Sequence, residues 1–229
     1  MWNAWERLEE CLYFYRRNAL ALAMILLPVA VPAFLLKHFR AWWALGWDET
    51  LIQQDGLLVV LELLVGLFAS AVTIAYAARA VRGEQPAPAV VRREAVMVLP
   101  NFFLVQMLVA FAALGGFLFL ILPGFWILAC LMPAYVFVVA DKLPVMQALQ
   151  QSFRIFRPAA WQLLGTLALA LLLMGVVLLL VIVLTYLAAD LPSVPRMIAG
   201  AGLDVVTLLT SQLIPIVLVR FHDQYRPAA

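Results

Sequence analysis

Six long apolar runs constrain this chain more than any other feature of its sequence. A transmembrane helix needs about 20 consecutive apolar residues, because the hydrocarbon core of a bilayer is about 30 Å thick. Charged residues make up only 12% of the 229 residues, whereas a soluble domain carries about 25%. We therefore predict an all-α, polytopic membrane helical bundle, a single membrane domain over 1–229 with no room for a sizeable soluble domain. Its six transmembrane helices are predicted at about 19–36, 57–78, 96–121, 124–140, 161–187 and 198–219.

The third and fourth apolar runs are nearly continuous, from Ala95 to Ala140, and together they are too long for one helix. Pro123 and Gly124 are the natural break between them, because both residue types favour tight turns. The fourth span is short as a result. The fifth span is apolar on every side and is predicted to be the helix most exposed to lipid.

The positions of Lys and Arg predict how the helices are oriented. Loops on the cytoplasmic side of a membrane carry an excess of these residues. Here the N-terminus, the second and fourth loops and the C-terminus hold 12 of the 15 Lys and Arg residues. Both termini are therefore predicted to be cytoplasmic. Trp42, Trp43 and Trp47 follow the first span on the opposite side, where amphipathic rings favour the headgroup layer.

The segment before the first span has an amphipathic pattern, and a second amphipathic segment precedes the fifth span. In the first of them, apolar residues recur at helical spacing and glutamates occupy the other faces. Two structures fit this pattern equally well: a short helix on the inner membrane surface, or a cytoplasmic extension of the first transmembrane helix. The apolar residues are Trp2, Trp5, Leu8, Leu12 and Tyr15, and the glutamates are Glu6, Glu9 and Glu10.

A run of motifs over about 120–165 resembles the YciC-like bacterial inner-membrane proteins. It is also similar to the membrane domain attached to some glycerophosphodiester phosphodiesterases. The resemblance implies a six-helix integral protein of the bacterial inner membrane with poorly defined activity and a link to envelope lipids. No counterpart of the phosphodiesterase catalytic domain is found in this sequence, so the resemblance supplies no active site. The motifs are Leu122–Trp126, Pro133–Tyr135, Val138–Asp141, Ala148–Phe153 and Trp161.

The residues of these motifs are predicted to have structural roles. Pro123 and Gly124 permit the turn between the third and fourth spans. Ser152, in the same amphipathic segment as Ala148, is expected to hydrogen-bond locally, and Trp161 is expected to anchor the start of the fifth span at the interface.

Two carboxyl groups stand out inside the predicted spans, Glu62 and Asp204. A charge within the bilayer is costly, so each is a hypothesis for a functional site. Each acid lies roughly 8–10 Å into the outer half of the core at 1.5 Å per residue. Each also belongs to a small, polar stripe that is typical of helix contacts. The stripes are Glu62, Gly66, Ser70, Thr73 and Ala77 on the second span, and Gly200, Asp204, Thr207 and Ser211 on the sixth, with Gln212 adjacent.

The two acids allow more than one arrangement. If the stripes face each other, the carboxyl groups form a protonatable pair. Alternatively, Lys37, His38 or Arg196, near the outer rim, supplies a counter-ion. In functional terms the site is either a polar cavity for a cation, a proton or a lipid headgroup, or two neutral acids hydrogen-bonded across helix contacts.

Other chemistry is largely missing from the sequence. His38 and His222 are predicted on opposite sides, so we expect no metal site, and the two cysteines make no disulfide framework. No catalytic or dinucleotide motif is found, so we expect no enzyme and no cofactor. The net charge of +2 gives no reason to expect nucleic acid. Partners are expected to be membrane lipids and other inner-membrane proteins. Small-residue motifs leave homo-oligomerisation open, because they serve packing within one chain equally well.

Two functions fit these observations. The first is a non-enzymatic envelope protein that binds lipid or scaffolds other membrane proteins. The second is a small proton- or ion-coupled transporter or channel that uses Glu62 and Asp204. The absence of an inverted repeat counts against the second.

Overall fold

A computed structural model describes residues 4–44, 55–119, 121–188 and 192–225. Helices joined by short turns and loops make up these ranges, which contain no strand. Six helical segments are long and apolar enough to cross a membrane, which confirms the predicted all-α polytopic bundle. Trp2, Trp47 and Arg226 lie outside the described residues. The segments are Ala4–Trp43, Gly56–Ala80, Pro88–Leu118, Ile121–Val139, Ala160–Leu187 and Val194–Tyr225.

Nine helices make up these spans and one connecting segment in the described part of the chain. The fourth span is divided into α4 and α5, and the sixth into α8 and α9. Helix α6 joins the fourth span to the fifth. The helices are α1 (Ala4–Trp43), α2 (Gly56–Ala80), α3 (Pro88–Phe119), α4 (Ile121–Leu131), α5 (Ala134–Val139), α6 (Val145–Phe156), α7 (Ala160–Leu187), α8 (Ser193–Ser211) and α9 (Leu213–Tyr225).

Helix α1 is much longer than its apolar run. Its 40 residues span about 60 Å at 1.5 Å per residue, twice the thickness of the hydrocarbon core. The N-terminal segment is therefore an extension of the first span, not a separate surface helix. Leu8 and Cys11 are buried there because α1 packs along α9: the Arg7 guanidinium lies over the Phe221 ring, and Arg220 pairs with Glu10 at 3.6 Å.

The predicted turn at Pro123 and Gly124 is wrong. Helix α3 ends at Phe119 and α4 begins at Ile121, so both residues lie in the first turn of α4. Proline is tolerated there because an N–H in the first helical turn has no partner within the helix. Gly124 instead lets α3 and α4 approach closely: a Cβ on Gly116 would lie 2.8 Å from the Gly124 Cα. The small residue Gly116 thus serves packing within the chain.

Helix α6 is the amphipathic segment predicted before the fifth span. Its buried face consists of Val145, Ala148, Ser152 and Phe156. Ser152 does not bond locally: its hydroxyl donates to the Cys130 carbonyl at 2.7 Å. Cys130 lies in the last turn of α4, where carbonyls lack a donor within the helix, so this bond fastens α6 to the break in the fourth span.

Helix α7 has the least buried surface of the six spans, in agreement with its uniformly apolar sequence. Trp161, the second residue of α7, is exposed at its start, where an interfacial anchor was predicted.

Gly116→Ala is expected to lower the thermal unfolding midpoint in detergent by several degrees, because the added methyl group forces α3 and α4 apart. Gly115→Ala is the matched control: it makes the same change of helix propensity one residue earlier, where a Cβ meets no atom within 4 Å. Equal midpoints for the two variants would contradict the close helix contact.

Candidate functional site

The two intramembrane acids meet at one lysine. Lys37 on α1 contacts the Glu62 carboxylate on α2, and its Nζ lies 3.0 Å from Oδ2 of Asp204 on α8. His38 Nε2 lies 2.9 Å from the same Asp204 oxygen. Of the arrangements open to the sequence, the structure thus has the one with counter-ions. Lys37, His38, Glu62 and Asp204 are called the ion cluster below.

Glycine on α8 makes room for the histidine of the cluster. Gly200 precedes Asp204 by one helical turn, and a Cβ at this position would lie 2.5 Å from the His38 Cε1. The sequence singled out Gly200 only as a small residue in a stripe. Its role in the structure is to leave space for the imidazole between α1 and α8, where it reaches the carboxylate.

The ion cluster lies at a boundary, neither deep in the core nor fully exposed. The side chain of Lys37 is 17% exposed, that of Asp204 27% and that of Glu62 49%. A charge in a medium of low dielectric constant must be paired, since its attraction to an opposite charge offsets lost hydration. One ammonium facing two carboxylates leaves one negative charge, and the His38 imidazole lies within hydrogen-bond distance of the Asp204 carboxylate.

The rest of the predicted polar site is divided among separate contacts. Thr73 on α2 donates a hydrogen bond to Oε1 of Gln212 at 3.0 Å, and both side chains are buried. Thr73 lies 11 positions after Glu62, which is about 16 Å along α2. The predicted stripes therefore provide two contacts at different depths: the ion cluster, and the pair Thr73 and Gln212.

Two of the remaining hydroxyl groups of the stripes donate hydrogen bonds to backbone carbonyls of their own helix. Thr207 donates to the Leu203 carbonyl at 3.0 Å, and Ser211 donates to the Leu208 carbonyl at 2.7 Å. Ser70 is half-buried on α2. These three residues have the small, polar character of a helix contact without taking part in the ion cluster.

Gln212 has a larger structural role than its predicted position beside the stripe indicates. It separates α8 from α9, and its Nε2 donates to the Leu208 carbonyl at 2.8 Å. Pro215 follows three residues later and offers no N–H to the preceding turn, so the helix is interrupted and a polar side chain is retained there. The sequence signal for this role is a glutamine three residues before a proline, on the same span as an intramembrane acid.

Further ion pairs brace the surfaces of the bundle. Arg79 on α2 and Glu94 on α3 are 2.6 Å apart. Asp55 accepts hydrogen bonds from Arg40 and from the first N–H groups of α2. The bond from Arg40 holds the pKa of the Asp55 carboxyl below its usual value, so this carboxylate is ionised at neutral pH.

The described ranges contain no cluster of metal-binding side chains and no disulfide bond. No group of three or more His, Cys, Asp or Glu side chains is placed there to hold a metal ion. His38 belongs to the ion cluster, whereas His222 pairs with Asp141 at 2.9 Å. Both cysteines are free and buried.

The fold and the ion cluster define a multi-pass integral membrane protein with charged contacts between its helices. The chain matches no family model, no curated protein and no solved structure.

Lys37→Met is expected to destabilise the protein by about 1–3 kcal/mol, because it leaves Glu62 and Asp204 without their shared cation. Thermal unfolding in detergent measures this effect, and the triple variant Lys37→Met/Glu62→Gln/Asp204→Asn should regain part of the loss. Lys142→Met is the control, because Lys142 is 67% exposed and its ion pair with Glu94 is long, at 4.0 Å. A loss in the control as large as that in Lys37→Met would contradict a structural role for the cluster.

Proposed function

We propose that this chain is a non-enzymatic protein of the bacterial inner membrane that binds envelope lipid or scaffolds other membrane proteins. The proposal includes membership of the YciC-like family, which rests on the motifs over about 120–165 and on the six spans. The lack of catalytic motifs in the sequence supports a binding role over an enzymatic one.

The observation that carries this proposal is the position of Lys37 between the two intramembrane acids. Coupled transport through Glu62 and Asp204 would require a carboxylate that gains and loses its proton or ion during each cycle. Here both acids are held by one ammonium that connects α1, α2 and α8. Because the Lys37 ammonium pairs with both carboxylates, they hold the helices together and are less available to a transported ion.

A small proton- or ion-coupled transporter remains the second candidate because two members of the ion cluster favour it. The Glu62 side chain is half-exposed, and the His38 imidazole, a group that is able to carry a proton, lies 2.9 Å from Asp204. A proton that reached His38 would change the charge beside both acids.

The proposed orientation has both termini in the cytoplasm. Alkaline phosphatase fused after Ala188 is expected to be active, because the enzyme requires the periplasm, whereas the same enzyme fused after Tyr225 is expected to be inactive. Green fluorescent protein at the same two positions should give the opposite pattern. Active phosphatase after Tyr225 would overturn the orientation that the distribution of Lys and Arg predicts.

Purified protein in liposomes filled with a pH-sensitive dye distinguishes binding from transport. We expect the wild type to dissipate an imposed pH gradient no faster than protein-free liposomes, with or without an imposed potential. The triple variant Lys37→Met/Glu62→Gln/Asp204→Asn should behave identically, because the cluster does not conduct. Flux in the wild type that the triple variant lacks would support the transporter and refute the structural role of the cluster.

A further inference from the structure

Two cavities, of about 700 and about 560 Å³, lie between α1 and the start of α3, and residues of α2 also line both of them. The two cavities together are called the groove below. The first extends along α1 as far as Ile25, and the second is lined by Val29, one helical turn further along the same helix. On α3 the first reaches Pro88 and the second Arg92, again one turn apart. The same helix faces therefore line both cavities.

The first end of the groove is polar and basic. Arg17 and Arg220 line it, together with Asn18 and Tyr76. The Asn18 side chain is already satisfied: its amide donates to the Phe14 carbonyl at 2.9 Å, and its oxygen accepts from the Tyr76 hydroxyl at 2.9 Å. The polar floor is thus fixed. Arg220 already pairs with Glu10 at 3.6 Å, so the Arg17 guanidinium is the group that remains to receive a ligand.

The second end of the groove is apolar. Its wall presents almost no polar surface, although the long side chains of Arg92 and Arg93 form one edge of it. Arginine can cover apolar surface with its methylene groups while its charged head stays at the interface. The apolar residues along the groove are Ala21, Met24, Ile25, Val29, Phe68, Val96 and Met97.

The groove has an excess of positive charge. In the portion of the chain that the structure describes, Arg17 at the polar end and Arg92 and Arg93 at the edge of the apolar end take part in no ion pair. Glu84, which lines the polar end, is held by Arg82 at 3.6 Å and by Arg79 at 4.0 Å. An anion at the polar end therefore meets attraction without competition from this acid.

The dimensions fit one leaflet of a bilayer. Arg17 and Val29 are 12 residues apart, which is about 18 Å along α1. Half of a hydrocarbon core about 30 Å thick is about 15 Å. A ligand that spans the groove therefore has an anionic head and an apolar tail about one leaflet long.

We propose that this groove binds an anionic phospholipid, with its phosphate against Arg17, beside the ion pair of Arg220 and Glu10, and one acyl chain along Met24 and Val29. The inference rests on the lipid-binding function proposed above and gives that function a location and a lipid class. A peptide or a second copy of the chain would need a polar backbone or a matching surface, and the nearly wholly apolar wall at Val29 and Met97 favours an acyl chain over either.

Native mass spectrometry of the full chain in a neutral detergent tests the proposal. The probes are phosphatidylglycerol, phosphatidylcholine and inorganic phosphate, each titrated separately. Wild type is expected to retain phosphatidylglycerol in preference to phosphatidylcholine. Arg17→Gln should weaken this binding about fivefold, which corresponds to about 1 kcal/mol for one basic residue. Arg16→Gln, the same change at an exposed neighbour outside the groove, should alter it less than twofold. Met24→Trp should weaken it by filling the path of the chain.

The possible results separate the two proposals. Equal weakening by Arg16→Gln and Arg17→Gln, with Met24→Trp unchanged, would refute the groove while leaving lipid binding intact. No retained lipid in the wild type would refute both. Inorganic phosphate that displaces phosphatidylglycerol at similar concentration would show an anion site in place of a lipid site, and dimers without lipid would show that a second copy covers the groove. Unfolding midpoints that match wild type confirm that each variant is folded.

Discussion

The hydrocarbon core of a bilayer offers no hydrogen-bond partner, and the polar contacts of this protein follow from that constraint. A buried polar side chain must therefore find a partner on the chain itself, and several of these partners lie on another helix. Lys37 joins α1 to α2 and α8, Thr73 joins α2 to the break between α8 and α9, and Ser152 joins α6 to α4. In a bundle whose apolar surfaces resemble lipid, these links specify which helices are neighbours.

The number and class of the helices could be predicted from the sequence, because apolar runs of sufficient length have few alternatives in a chain with so little charge. The partners of the intramembrane acids could not. The first apolar run ends at Leu36, which placed Lys37 at a rim, whereas α1 continues to Trp43. Hydropathy indicates which residues lie in the membrane core but not where a helix ends. For this reason Lys37 was only one of several candidate counter-ions.

The error at Pro123 and Gly124 has a related cause. Both residues favour turns. However, proline is also common in the first turn of a helix, and glycine is also common where two helices lie close together. Only the position of Gly116 against Gly124 distinguishes these roles, and that contact is a property of the folded chain. Likewise, Asp204 could be singled out from its type and depth, but the space that Gly200 leaves for His38 became visible only in three dimensions.

The long sequence separation within the ion cluster bears on how the protein is made. Lys37 is synthesised 167 residues before Asp204. At about 5–20 residues per second, the ribosome needs roughly 8–33 s to close this interval. During that time the first hairpin enters the membrane with its ammonium held by Glu62 alone, while four further spans are added. The contact of Lys37 with Asp204, which joins the first span to the last, therefore forms only after the final span has been added.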